Sequence, residues 1–161
     1  MGANRSVSIR AFVSSDSDEC LHLFRDTIHR VNLRDYSPEQ INAWAPPDVD
    51  LLTWARRFED RFAYVACQAK IIVGFIDMTR LGHLDRLYVS ADHQRQGIAR
   101  GLVERVLRDA EQQGCQCVRT EASITAKPFF ESMGFAVIKQ QQVECRGVML
   151  TNFQMRFSRR A

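Results

Sequence analysis

Apolar and polar side chains alternate weakly over residues 7–13, the period of an opening strand. Ser14-Ser-Asp-Ser-Asp18 then offers helix-capping side chains ahead of Cys20, Leu21, Leu23, Phe24 and Ile28, which are spaced along a helical face. Ser37-Pro-Glu-Gln40 predicts a capping box with Pro at the first helical position, opening a short helix through Ile41 and Trp44. Asp50 is placed to cap a third helix, with Leu51, Leu52, Trp54, Ala55 and Phe58 as its apolar face. Strand-like runs follow at 62–67, 70–79 and 84–89, the first two joined tightly at Gln68-Ala69 as a hairpin. Residues 96–113 form the clearest helix. Ile98, Leu102, Val106 and Ala110 recur at i+4 with Ala99, Val103 and Leu107 beside them, and Gly114 ends it where a left-handed residue is wanted. A strand at 115–122, a short helix at 125–132 and strands at 135–145 and 148–157 complete the pattern.

The order β-α-α-α-β-β-β-α-β-α-β-β predicts an α/β fold with a mixed sheet, in which the strand–helix–strand unit at 84–122 is parallel and right-handed. The densest breaker segment, Ala45-Pro-Pro-Asp48, is too short to link domains, and no internal repeat is visible. One domain over 1–161 is expected.

Composition narrows the class. With 161 residues, 45% of them apolar and 25% charged, the chain can bury a core without staples, and collagenous or disordered readings fall away. No apolar run nears the roughly 20 residues that cross a bilayer. The stretch Met1-Gly-Ala-Asn-Arg-Ser-Val-Ser-Ile9 lacks the apolar region of a signal peptide, so a cytoplasmic protein with no membrane partner is expected. Five cysteines, an odd number, argue against a disulfide framework, and the Cys115/Cys117 spacing is not that of a zinc site, so no metal is expected. The net charge of +3 is carried by scattered arginines, which suits a small anionic ligand better than nucleic acid.

The chemistry-bearing stretch is Leu87-Tyr-Val-Ser-Ala-Asp-His-Gln-Arg-Gln-Gly-Ile-Ala-Arg-Gly101, which runs from a strand through a polar turn into the long helix. A helix N-terminus presents unpaired N–H groups and about half a positive charge, a setting for an anion such as a diphosphate. Gly97 lets a ligand approach the backbone, Ala99 keeps the next turn narrow, and Arg95 and Arg100 add fork-shaped donors. Neither G-x-x-x-x-G-K-[ST] nor G-x-G-x-x-G is present. The same physics also allows Gly97 and Gly101 simply to ease helix packing.

Gln94-Arg-Gln-Gly-Ile-Ala99 resembles the [QR]-x-x-G-x-[GA] pyrophosphate loop of the GNAT superfamily of acetyl-CoA-dependent N-acetyltransferases. Leu87-Tyr-Val89 is similar to that family's fourth strand, and Ala122-Ser-Ile-Thr-Ala-Lys-Pro-Phe-Phe-Glu-Ser-Met-Gly-Phe135 to its fifth strand, short helix and terminal Gly-Phe. Tyr36-Ser-Pro-Glu-Gln-Ile-Asn-Ala-Trp44 and Val143-Glu-Cys-Arg-Gly147 further resemble the YafP-type bacterial branch. The resemblance implies a three-layer fold whose central parallel strands 4 and 5 splay apart, flanked by helices. Coenzyme A would enter this wedge, its pantetheine arm along Leu87, Tyr88 and Val89 and its diphosphate on Gln94, Arg95, Gln96, Gly97, Ile98, Ala99 and Arg100. The Val89 N–H would polarise the thioester carbonyl.

The implied reaction is direct attack of a primary amine on acetyl-CoA, with a small-molecule acceptor favoured over a protein lysine or N-terminus. The candidate bases are His83, Asp85 (on the strand face of His83, Leu87 and Val89 if alternation is strict) and Glu121 across the wedge; nearby arginines such as Arg80 or Arg86 are alternative partners for Asp85. Many relatives carry Tyr as general acid where this chain has Phe130, which cannot donate. Tyr88 is expected to face away from Leu87, which leaves water or the Ser123 hydroxyl. The substitution at Phe130 keeps open a noncatalytic acyl-CoA-binding module. His29, Tyr36, Trp44, Trp54 and Arg146 are the acceptor-side candidates, the tryptophans being core anchors in the competing reading. A monomer or homodimer is expected.

Overall fold

Strand alternation and helical spacing divide the apolar side chains between the two faces of one sheet. The computed structural model describes residues 6–158; residues 1–5, which carry much of the N-terminal reading, and 159–161 lie outside it. Strands β1 (Ser8–Ala11), β2 (Arg61–Gln68), β3 (Ile71–Thr79), β4 (His83–Val89), β5 (Cys117–Ser123), β6 (Ala136–Cys145) and β7 (Val148–Ser158) form a sheet in the order β1-β2-β3-β4-β5-β7-β6. Helices α1 (Ser17–Arg30), α2 (Pro38–Trp44) and α3 (Leu51–Arg56) cover one face; α4 (Ile98–Gln112) and α5 (Lys127–Ser132) cover the other. The element order is the one the sequence predicts. All strand pairs are antiparallel except β4 and β5, which run parallel across the predicted βαβ unit.

The α4 stripe of Ile98, Leu102, Val106 and Ala110 is buried against Val73, Ile76 and Val118. On the opposite face Phe24, Ile28 and Trp54 pack on Val65, Phe75 and Leu150. Gly114, at φ +75°, closes α4 as expected. The capping box of α2 is formed: the Gln40 N–H donates to Ser37 Oγ at 3.2 Å and the Ser37 N–H to Gln40 Oε1 at 2.9 Å. Gln40 Nε2 also reaches the Met149 carbonyl at 2.9 Å, tying α2 to β7. Ser37→Ala is expected to lower unfolding free energy by about 1 kcal/mol, read by urea titration.

Three local expectations are corrected. Asp16 does not cap α1 with its side chain. Its carboxylate turns back to accept from the Val13 N–H at 2.9 Å and from the Arg10 guanidinium at 2.8 and 2.9 Å. The β2–β3 turn falls one residue later, on Ala69 and Lys70, both at positive φ as a two-residue hairpin turn requires. Leu51 and Leu52 are exposed, because six-residue α3 is too short to hold an apolar face over 51–58. Asp50 does cap it, accepting from the Thr53 N–H at 3.1 Å, while Trp54 turns inward and Phe58 follows in the next turn.

Candidate active site

Strands β4 and β5 pair only at His83↔Arg119 and Leu84↔Thr120. The Thr120 hydroxyl donates to the Leu84 carbonyl at 2.9 Å, and beyond this plug the strands diverge. The divergence opens a cavity of about 180 Å³ between Leu84, Leu87 and Val89 on one wall and Ala122, Phe129 and Phe130 on the other. The Ser90 N–H donates to the Val73 carbonyl on β3 at 2.8 Å. Antiparallel alternation therefore turns the N–H and C=O groups of Leu87 and Val89 toward the cleft. There the Val89 carbonyl accepts from Thr27 Oγ1 at 3.2 Å and Gln94 Nε2 at 2.7 Å, while the neighbouring N–H groups face the space a ligand would fill.

At the cleft's end, Arg95 at φ +61° and Gly97 at φ +80° fold the loop into the start of α4. The first helical bond runs from the Gly101 N–H to the Gly97 carbonyl at 3.1 Å, so the N–H groups of residues 98–100 precede the helical ladder. A side-chain carbon at Gly97 would meet no atom within 4 Å. Arg95, Gln96 and Arg100 are exposed around this bare backbone, Ile98 is buried beneath it, and Ala99 lines the cleft. The residues expected to cradle a diphosphate are thus gathered in one loop.

A second cavity, of about 360 Å³, adjoins the first on the α1–α3 side. Trp44, Asp85, Tyr88, Glu121 and Ser123 line both. Strict alternation fails at Asp85, which corrects its expected face. Asp77 pairs with Arg86 and Met78 with Leu84, so Asp85 is the extra residue of a β-bulge. Asp85 still borders the cleft, but its carboxylate turns to the arginines, 2.7 Å from Arg61 Nη1 and 3.3 Å from Arg57 Nη2. Arg80 and Arg86 are engaged elsewhere, Arg80 with Asp60 at 2.9 Å and Arg86 with Asp77 at 2.5 Å.

Arg61 and Arg57 outweigh burial and hold the Asp85 carboxyl below its ordinary 3.8. A depressed folded value means that the stability from these pairs is fully present above the unfolded value. It is lost as pH falls through the folded one. Asp85→Asn should therefore flatten the acid limb of an unfolding profile below about pH 4 while leaving its neutral-to-alkaline shape unchanged.

His83 Nε2 and Glu121 Oε1 face one another at 3.9 Å across the paired ends of β4 and β5, both half-exposed. Glu121 Oε2 also accepts from Gln141 Nε2 at 3.2 Å. Tyr88, partly buried, packs edge-on to Phe24 at 4.9 Å and against Phe75 at 5.7 Å, and desolvation pushes its phenol up, keeping it neutral. Ser123 Oγ is occupied in accepting the Ala126 N–H at 3.0 Å. Phe130 is buried under the cleft wall, stacked edge-on with Phe129 and Phe135.

Tyr36, Trp44, Trp54 and Arg146 line the larger cavity. The Tyr36 hydroxyl donates to the Thr151 carbonyl at 2.6 Å and accepts from the Ile124 N–H at 2.9 Å, bracing the α1–α2 layer against β7. Trp54 is a core anchor as well, its indole N–H donating to the Ser17 carbonyl at 2.9 Å. His29 is a correction: it meets the Ala45 carbonyl at 3.0 Å and lines a separate hollow with Arg25 and Pro47, because its helical face turns from the sheet. The sequence reading missed the ladder Arg57–Asp85–Arg61–Asp77–Arg86 under this cavity. Its signal was a lone Asp in the apolar run of β3 and an Asp-Arg pair inside β4, charges on neighbouring strands.

Similarity to known proteins converges on this architecture. Residues 32–157 match the family model described as an acetyltransferase (GNAT) domain. The chain is 35% identical over 153 residues to the uncharacterized N-acetyltransferase YafP of Escherichia coli strain K12, covering 94% of this chain and 96% of that protein. A GCN5-related N-acetyltransferase from Rhodopseudomonas palustris superposes with a TM-score of 0.91 at 26% identity, covering 95% of this chain and 96% of that one. PaiA N-acetyltransferase from Thermoplasma acidophilum, solved in complex with coenzyme A, superposes at 0.75 with 17% identity over 96% of this chain and 99% of its own, a likeness of fold. With parallel strands splayed above a bare-backbone loop, and with these matches along nearly its whole length, the chain belongs to the GNAT acetyltransferase family.

Proposed function

We propose that the protein transfers the acetyl group of acetyl-CoA to a primary amine of a small molecule by direct attack in a ternary complex. The observation carrying this reading is that a backbone-lined cleft and a larger polar–aromatic cavity meet at Trp44, Asp85, Tyr88, Glu121 and Ser123. The diphosphate of coenzyme A lies on residues 94–100, its pantetheine arm pairs with the cleft-facing N–H and C=O groups of Leu87, and Phe130 packs beneath the arm. The amine enters from the larger cavity. Its volume, about 360 Å³, suits a small molecule rather than a folded protein surface.

The roles of the three carboxylate and imidazole candidates separate by environment. Asp85, neutralised by two guanidiniums, is a poor acceptor for a proton from an ammonium. His83, facing Glu121 and open to solvent, receives the amine proton, and Glu121 stabilises the imidazolium that forms. The Val89 N–H stabilises the oxyanion as nitrogen bonds to the carbonyl carbon. The C–S bond then breaks and coenzyme A leaves as thiolate. A thiol of pKa about 8.5 tolerates departure without a strong acid, so Phe130 is compatible with turnover.

Thiol release from acetyl-CoA across a panel of primary amines tests the reading. His83→Ala is expected to lower kcat by about 10²-fold and flatten the acid limb of the pH–rate profile, where a base is lost to protonation, with calorimetric affinity for acetyl-CoA retained. Tight acetyl-CoA binding with no thiol release for any amine would instead favour an acyl-CoA-binding module.

A further inference from the structure

The larger cavity is floored by a charge ladder that does not balance. Three guanidiniums, Arg57, Arg61 and Arg86, face two carboxylates, Asp77 and Asp85. Arg86 is only 3% exposed, and its Nη1 has no hydrogen-bond partner among the described residues. Its guanidinium is stacked 4.2 Å from the Phe58 centroid and 4.6 Å from that of Trp54, so its plane is fixed by packing. Arg57, half-exposed at the cavity wall, holds Asp85 only at 3.3 Å. Arg146, also on that wall, makes no ion pair among the described residues. A buried surplus cation with an orphaned donor is costly unless an anion completes it.

We infer that the acceptor is an amine carrying a carboxylate, an amino acid or a compound of that kind, with its carboxylate on the Arg57–Arg86 side and its amine at His83 and Glu121. This deepens the proposed transfer reaction and rests on it. One added carboxylate makes the ladder three against three, and the acceptor's ammonium faces the Glu121 charge at the other end of the cavity. A zwitterion thereby neutralises both ends, which neither a simple alkylamine nor a simple carboxylate does. The forked geometry of guanidinium matches carboxylate in two parallel hydrogen bonds, and the aromatic wall of Phe24, Trp44 and Trp54 leaves room for an apolar side chain.

The test compares amines that differ only in the carboxylate: L-phenylalanine with 2-phenylethylamine, and L-lysine with cadaverine. The expected result is a kcat/KM at least about tenfold higher for the carboxylate-bearing member of at least one pair, as one charged hydrogen-bonded contact supplies. In Arg57→Gln the ratio within that pair should fall toward one. Parity or the opposite preference in both pairs, or a ratio unmoved by Arg57→Gln, overturns the inference. If no amine is turned over, the transfer reading itself fails. Calorimetry with N-acetyl-L-phenylalanine and N-acetyl-2-phenylethylamine in the presence of coenzyme A then decides the anion site. Selective binding of the carboxylate compound, lost in Arg57→Gln, supports it; equal binding or none overturns it.

Discussion

Gly97→Glu is expected to weaken acetyl-CoA binding by at least about 100-fold, to the point of loss in a calorimetric titration. Two effects act together at this position. The residue sits at φ +80° beside an open side of the loop, and the added side chain would grow from the backbone into the space assigned to the diphosphate. The carboxylate would also stand where the α4 N-terminus, Arg95 and Arg100 create positive potential, replacing an attractive anion site with a repulsive one. Because nothing lies within 4 Å of the new Cβ, the fold should lose only about 1 kcal/mol, the cost of a non-glycine residue in the left-handed region. Gly97→Ala separates these effects: it carries the same backbone cost without the charge, and should weaken binding by less than Gly97→Glu. Equal affinity of Gly97→Glu and wild type would show that the diphosphate lies elsewhere.

The loop was readable in the sequence because its chemistry is local. An N-terminal helix turn, a glycine and two arginines fall within seven residues, and the backbone groups that do the binding follow from the secondary structure alone. The layers were readable for a similar reason: the α4 stripe and the short apolar run of β3 need no knowledge of distant contacts. The acceptor side was not. The extra residue at Asp85 cannot be seen in a strand pattern, since a bulge is set by the register against β3, and that single residue moves the carboxylate from the face of Leu87 to the arginines at the end of α3 and the start of β2. His29 failed for the same kind of reason. Helical spacing names the face of a residue relative to its own helix, not which face meets the sheet. The proximity of His83 to Glu121 was not legible either: parallel pairing sets start beside start, and only the stagger that puts His83 opposite Arg119 brings the first residue of β4 near Glu121.

Asp77→Asn is expected to be the most destabilising single change in the site, costing about 3–5 kcal/mol in urea unfolding. Asp77 is fully buried on β3 and is the anion shared by Arg86 at 2.5 Å and Arg61 at 3.3 Å. An amide there leaves two guanidiniums, one of them almost fully buried, without their common counter-charge. A domain of this size commonly has only about 5–15 kcal/mol in total, so the variant should unfold at markedly lower denaturant. Arg86→Met should cost less, because Asp77 then keeps Arg61 and the methionine retains contact with Phe58 and Trp54. Combining Arg86→Met with Asp77→Asn should give a loss smaller than the sum of the two, since the most deeply buried cation is removed together with the anion that neutralised it. Strict additivity would mean that the two side chains do not act as a pair and that Arg86 is held by its aromatic neighbours alone. The same double variant keeps the surplus of one positive charge, Arg57 and Arg61 against Asp85, but removes the Arg86 donor assigned to the acceptor's carboxylate, and so should also narrow any preference between an amino acid and its decarboxylated counterpart. The stability and selectivity of this cavity would then trace to one set of charges.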